Sequence, residues 1–137
     1  MRNGLIVCVL TLVFGTMASG QDTGKQADPY LGTWAGTWSS EDGGTGELEI
    51  TVARGNDGVP AGRIKASGGD SGHSAAFKTL TFAGNKMAAK YDYPLGDGGE
   101  ILLDAVLENT TAKGTWSLTP PGQTADVARG TWTATKR

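Results

Sequence analysis

The sequence has almost none of the residues from which disulfides, thiol sites and zinc sites are built. Its 137 residues include one cysteine, Cys8, and one histidine, His73. Cys8 lies in an apolar N-terminal stretch that we expect to be removed, so the mature chain is expected to contain no cysteine. This excludes disulfides, thiol catalysis and cysteine-ligated zinc, and a lone histidine cannot form a zinc site. Stability must come from a single apolar core, which a domain of this length can supply.

Basic residues are scattered and long hydrophobic runs are lacking. The chain has 12 Lys and Arg against 14 Asp and Glu, a formal net charge of −2, and no Lys/Arg cluster. This balance argues against nucleic acid as a partner and against binding to an anionic membrane surface. The longest apolar stretch, Leu5 to Phe14, is too short to cross a bilayer, which takes about 20 residues.

The N-terminus has the three parts of a secretory signal peptide. Arg2 supplies a positive charge, the apolar stretch follows, and Ala18-Ser19-Gly20 is a small-residue cleavage signal. We therefore predict a signal peptide over residues 1–20 and a secreted or periplasmic protein that has no membrane contact after cleavage. A retained membrane anchor is the alternative. Cleavage would remove Arg2 and change the net charge to −3. Residues 21–29 are polar and aperiodic, which is typical of a flexible arm.

Residues 30–137 alternate between apolar and polar side chains, with a Gly- or Asn-containing turn about every 12 to 14 residues. No helical pattern of useful length is present. The pattern predicts one all-β domain of eight strands, with these bounds: Tyr30–Ser39, Gly46–Arg54, Val59–Ala66, Ala75–Phe82, Lys86–Tyr93, Glu100–Leu107, Ala112–Leu118 and Val127–Lys136. Ser67 to Ser74 is predicted to be a loop.

Short strands joined by tight turns indicate an antiparallel up-and-down meander, which forms either a sandwich or a barrel. We predict a single closed eight-stranded barrel, because closure leaves no exposed sheet edge. An outer-membrane barrel would carry an apolar outward face. Here Glu47 and Glu49 lie opposite Leu48 and Ile50, which favours a barrel in water.

All four tryptophans end the same tripeptide, Gly-Thr-Trp, at Trp34, Trp38, Trp116 and Trp132. Barrel closure would pair the last strand with the first and bring all four indoles onto three adjacent strands. In each copy the glycine shares a face with its tryptophan, which makes room for the ring. We predict a ligand-binding cluster of these four tryptophans with Tyr91 and Tyr93. The alternative is that the indoles simply fill the barrel.

Three further patterns point to chemistry only weakly. Gly69-Asp70-Ser71-Gly72 matches the nucleophile segment of chymotrypsin-like proteases, but His73 is too near Ser71 in sequence to act as its base, and we expect a solvated loop. Glu47 and Glu49 have the spacing of an inverting glycosidase pair, but such pairs are usually a wet sheet face. Asp97 and Glu100 offer too few ligands for calcium. We therefore predict no catalytic residue, no metal and no cofactor, and a protein that is not an enzyme.

The Gly32-Thr33-Trp34 segment resembles the Gly-x-Trp opening strand of lipocalins and of the wider calycin group, which includes avidins. That resemblance implies an eight-stranded barrel that binds a small, mostly apolar ligand. The chain lacks the lipocalin cysteines and the polar residues with which avidins hold their ligand. It is more similar to small β-rich domains of secreted bacterial proteins, some of them fused ahead of an α/β-hydrolase domain. These share the Gly-x-Trp-x-Gly start, a Gly-Asn-Lys hairpin, here Gly84 to Lys86, and a late Gly-Thr-Trp, but they imply no particular activity.

Two functions follow as hypotheses. The first is an exported, non-enzymatic barrel that binds a small apolar ligand or a glycan through its tryptophan cluster. The second is a protein-interaction module. Periplasmic protease inhibitors are similar in size and in their Gly-x-Trp strand, and they insert a flexible N-terminal arm into the protease. Residues 21–29 would be that arm here, although those inhibitors typically carry a disulfide.

Overall fold

A computed structural model describes residues 28–68 and 71–137 of the chain. The predicted signal peptide and residues 21–27 of the predicted arm lie outside the described residues. After a 3-10 turn at Asp28–Tyr30, the described residues form nine strands: β1 Gly32–Ser40, β2 Thr45–Arg54, β3 Pro60–Gly68, β4 Ser71–Ala76, β5 Thr79–Ala83, β6 Lys86–Asp92, β7 Glu100–Glu108, β8 Thr111–Thr119 and β9 Ala128–Lys136. None of the described segments is a helix with the length and hydropathy that a membrane crossing requires.

All nine strands belong to one antiparallel sheet, in the order β4-β3-β2-β1-β9-β8-β7-β6-β5. The first and last strands pair as predicted, with Trp38 opposite Trp132. The four tryptophans therefore lie on the three adjacent strands β1, β9 and β8. The prediction of a closed eight-stranded barrel is wrong, however. The sheet curls into a half-barrel whose two edges, β4 and β5, are separated by an open seam.

The seam arises because the predicted fourth strand, Ala75–Phe82, is two strands with different partners. Up to Ala76 the chain pairs with β3, and from Thr79 it pairs with β6. The change takes place within two residues, since the Phe77 amide donates to the Gly62 carbonyl and the Lys78 amide donates to the Lys90 carbonyl. The predicted Ser67–Ser74 loop is also wrong, because β3 extends to Gly68 and β4 begins at Ser71.

The hairpin turns lie where glycine and asparagine predicted them. Gly43, Gly58 and Gly84 adopt φ values of 101°, 80° and 63° in the turns after β1, β2 and β5. Asn109, in the two-residue turn between β7 and β8, has a φ of 55°. These left-handed conformations suit glycine and asparagine and disfavour other residues. The turns fix the register that sends alternate side chains to the concave face.

The concave face carries the core and has two unlike ends. At the end bearing the turns at 55–59, 84–85 and 109–110, here called the filled end, the side chains leave a void of only about 10 Å³. Trp34, Ile50 and Phe82 are buried there. Tyr30 covers them from the N-terminal 3-10 turn, with its ring stacked on Phe82 at a centroid distance of 5.2 Å. The opposite end, which bears the turns at 41–44, 93–99 and 120–127, is here called the open end.

Candidate functional site: an aromatic pocket at the open end

The concave face at the open end encloses a pocket of about 340 Å³. This volume lies just above the lower bound of about 300 Å³ for small-molecule sites. Aliphatic side chains form much of its wall: Leu48, Ile64, Ala66, Ile101, Leu103 and Leu118. The remaining large side chains are rings: Trp38, Trp116, Trp132, Tyr91, Tyr93 and His73. The lining comes from strands on both sides of the seam, so the curvature of the sheet is what creates the cavity.

The indole of Trp38 lies across the neighbouring strand β2. Its Nε1 donates to the Ser67 carbonyl on β3, 3.1 Å away. Two glycines leave the space that it occupies. A Cβ on Gly46 would lie 2.6 Å from Trp38 Nε1, and a Cβ on Gly68 would lie 2.6 Å from Cζ2. A larger side chain at either position would displace the ring, and at Gly46 it would also overlap the Ser67 carbonyl oxygen at 1.9 Å. The two glycines therefore determine where this wall of the pocket stands.

The indole of Trp116 spans β9 in a similar way. Trp116 pairs with Gly130 across the β8–β9 ladder, and its Nε1 donates to the Ser39 carbonyl on β1 at 3.0 Å. The ring therefore crosses β9 at Gly130. The Trp38 and Trp116 rings meet edge to face, with centroids 5.9 Å apart and planes at 87°. Two half-buried indoles thus form a right-angled corner of the pocket.

A polar corner lies across the pocket, at the seam. His73 on β4 and Tyr91 on β6 share a hydrogen bond of 2.8 Å between Nε2 and the phenol oxygen. The Tyr93 ring stands edge to face with His73 at a centroid distance of 5.0 Å. Burial lowers the pKa of His73 and raises the pKa of Tyr91, to which the charge of Tyr93 also contributes. At neutral pH the His73–Tyr91 pair is therefore uncharged.

Of the described residues that line the pocket, one is a carboxylate, and it lies at the rim. Asp42, in the exposed turn between β1 and β2, lies among the residues that line the pocket, and its Oδ1 accepts a hydrogen bond from the Gly44 amide at 3.2 Å. The Ser40 hydroxyl and then the Gly44 amide lower the pKa of Asp42. Among the described residues, no lysine or arginine lines the pocket.

The six predicted site residues do not all lie in one place. Trp38, Trp116, Trp132, Tyr91 and Tyr93 line the pocket. Trp34 lies at the filled end instead, where it is 3% exposed and donates from Nε1 to the Tyr30 carbonyl at 3.0 Å. Trp132 is 2% exposed and borders both the pocket and the small void of the filled end. It therefore forms the floor between the two ends.

Ser71 of the protease-like pattern lies in the pocket lining, whereas Glu49 and Glu100 of the other weak patterns form ion pairs outside it. Glu49 pairs with Arg137 at 3.0 Å. Glu100 and Asp92 both accept from Lys78 Nζ, at 2.7 and 2.9 Å, and these two carboxylates raise the pKa of the lysine. Within the described part of the chain, no three His, Cys, Asp or Glu side chains come together as a metal site would require.

His73 is the site residue that the sequence reading missed. It was expected in a solvated loop, but it is half-buried on β4 and lines the pocket. Its strand is rich in small residues, and the Gly69-Asp70 pair before it also belongs to the protease-like segment. The same pair is also typical of a two-residue hairpin turn. With Gly68 opposite Ser71 in the ladder, that signal would have placed Ser71, His73 and Ala75 on the concave face.

Searches against protein-family models, curated proteins and solved structures find no match to this chain. The similarity to calycin barrels therefore rests on the Gly-x-Trp strand alone.

Proposed function

We propose that this protein is a non-enzymatic binding protein that holds a small, largely apolar molecule in the pocket at the open end. The observation that carries the proposal is the contrast between the two ends of one concave face. Side chains close the filled end to about 10 Å³, while about 340 Å³ stays open above Trp132. With the predicted signal peptide, binding would take place outside the cytoplasm.

The hydrogen-bonding state of the lining favours an apolar molecule over a glycan. Sugars are held by many hydrogen bonds in addition to ring stacking. In this pocket the Nε1 groups of Trp38, Trp116 and Trp132 already donate to backbone carbonyls. His73 and Tyr91 are hydrogen-bonded to each other. The pocket thus offers chiefly ring and aliphatic surface, whose burial by a ligand is favourable at about 25 cal/mol per Å².

The test uses a neutral fluorescent dye, N-phenyl-1-naphthylamine, which brightens in apolar surroundings. Ala66→Phe places a ring inside the pocket without removing any contact, and it should reduce dye affinity by tenfold or more. The matched control is Ala53→Phe, on the convex face of β2, which should bind the dye as the parent protein does. Equal dye binding by all three proteins, or none by the parent, would refute the proposal. Competition by soluble oligosaccharides would favour the glycan hypothesis instead.

A further inference from the structure

The three indoles that line the pocket already donate their N–H groups to backbone carbonyls, so they offer a ligand ring surface rather than hydrogen-bond donors. The Trp38 and Trp116 rings are perpendicular at 5.9 Å, and their N–H groups are engaged by the Ser67 and Ser39 carbonyls. Tyr91, on β6, and Tyr93, just after the end of that strand, complete the aromatic lining. Aromatic faces carry negative electrostatic potential, so several rings around one cavity favour a positively charged guest.

The charged side chains near the rings also favour a positively charged ligand. No lysine or arginine among the described residues lines the pocket, and the one ionised side chain is the Asp42 carboxylate at its rim. Its hydrogen bonds with Ser40 and Gly44 favour the charged form. The His73–Tyr91 pair is uncharged at neutral pH. An anionic guest would meet a carboxylate and π faces with no cation to balance its charge.

We infer that the pocket selects a small organic cation, an ammonium ion whose nitrogen carries methyl or other apolar substituents. The substituents of such an ion would contact the apolar walls. Its charge would interact with the rings and with Asp42. A compact primary ammonium fits less well, because it is strongly hydrated and would have to lose that hydration against apolar walls. This inference rests on the proposed function and specifies the chemistry of its ligand.

The test compares two probes of one shape that differ only in charge, phenyltrimethylammonium and tert-butylbenzene. Each is titrated against the protein loaded with N-phenyl-1-naphthylamine, and dye displacement is measured. The cation should bind about tenfold more tightly than its neutral isostere, as expected for a partly desolvated cation among aromatic faces. Asp42→Asn should lower that ratio severalfold, because Asn keeps the turn hydrogen bond and loses the charge. Glu108→Gln, the same change in charge at the filled end, should leave the ratio unchanged.

The outcomes separate this inference from the proposed function. If tert-butylbenzene displaces the dye as well as the cation or better, the ammonium assignment is wrong and the apolar binding function stands. If the parent protein binds neither the dye nor either probe, both fail together. If Asp42→Asn keeps the full preference for the cation, the role given to the carboxylate is wrong. Circular dichroism of each variant establishes that the comparison is made on folded protein.

Discussion

Three of the four glycines in the Gly-Thr-Trp motifs allow neighbouring backbones to approach closely. A Cβ on Gly36, Gly114 or Gly130 would lie only 1.7 to 1.8 Å from a carbonyl oxygen of the adjacent strand. The atoms concerned are backbone atoms of a paired strand, so a side-chain rotation cannot relieve the contact. Glycine within a strand marks such close approaches and sharp bends. At these three positions the sheet curls tightly enough to become a half-barrel.

Gly130→Ala should therefore destabilise the protein severely. The new Cβ would overlap the Ser39 carbonyl oxygen at 1.8 Å, and separating β9 from β1 should cost about 3 kcal/mol or more, at the upper end of the range for overpacking. Gly44→Ala is the matched control, since its Cβ would meet nothing closer than 3.6 Å. It should change the free energy of unfolding by no more than about 0.5 kcal/mol. Urea unfolding followed by tryptophan fluorescence measures both, and equal losses would contradict the backbone explanation.

His73 should make stability depend on pH below neutrality. Burial lowers its pKa in the folded protein, so between that value and about 6.5 the unfolded chain binds more protons than the folded one. The free energy of unfolding should thus fall as the pH decreases through this window. Tyr91 faces the ring from β6 and does not ionise there, because its pKa is raised. Tyr93, just after that strand, packs edge to face on the ring. Asp42 at the rim stays charged because its pKa is lowered.

The measurement is the midpoint of thermal unfolding at pH 5.0 and pH 7.5, for the parent protein and for His73→Gln. Glutamine can keep a hydrogen bond to Tyr91 but has no proton to gain. We expect the parent to lose more stability than the variant at the lower pH. An identical pH dependence in the two proteins would show that other groups cause the loss.

At the level of strands, local pattern predicts the central elements and fails at the edges. β7 alternates Ile101, Leu103, Ala105 and Leu107 onto the core, and this regular pattern alone located it correctly. β4 offers only Ser71, His73 and Ala75 to the same face, which gives no strong apolar alternation. The change of partner at Phe77 and Lys78 depends on hydrogen bonds to Gly62 and Lys90. No local pattern encodes such long-range pairings, so the seam could not be predicted from the sequence.

The same difference between regularly alternating strands and edge strands decides which residues of the candidate site could be predicted. Rings on the regularly alternating strands, such as Trp116 on β8 and Tyr91 on β6, could be assigned to the concave face from the sequence. His73 can be assigned only if Gly69-Asp70 is taken as a two-residue hairpin turn, because its strand has no strong apolar alternation. Trp34 was grouped with the other tryptophans because all four share a face. Strand position alone does not reveal that one end of that face is filled and the other open.

The two edge strands should be the least protected part of the sheet. β4 pairs only with β3, and β5 pairs only with β6, whereas β1 and β9 have partners on both sides. Amides of β4 and β5 should therefore exchange with solvent faster than those of β1 and β9, because local opening breaks fewer hydrogen bonds there. Hydrogen exchange followed by mass spectrometry tests this by peptide. Exchange at β4 as slow as at β9 would show that the seam is closed in solution.

At the scale of the whole molecule, the proposed function gives one concave face two tasks, stability and binding. The filled end supplies the close packing on which a domain without disulfides depends. The open end leaves the indoles of Trp38 and Trp116 half-buried around a cavity, at some cost in packing. Trp132 separates the two and belongs to both. Stability and binding should therefore respond to mutation at different ends of the same sheet.

The same substitution at two tryptophans of β1 tests this division. Trp34→Phe removes the hydrogen bond to the Tyr30 carbonyl and leaves a void in the filled end, so it should cost about 1–3 kcal/mol of stability. Its affinity for N-phenyl-1-naphthylamine should stay within about twofold of the parent. Trp38→Phe removes one wall of the pocket and should weaken dye binding about tenfold, with a smaller loss of stability because Trp38 is only half-buried. Urea unfolding measures the stability of each variant, and dye titration measures its affinity. If both changes reduce affinity equally, the two ends of the concave face are not independent, and the pocket depends on the integrity of the whole core.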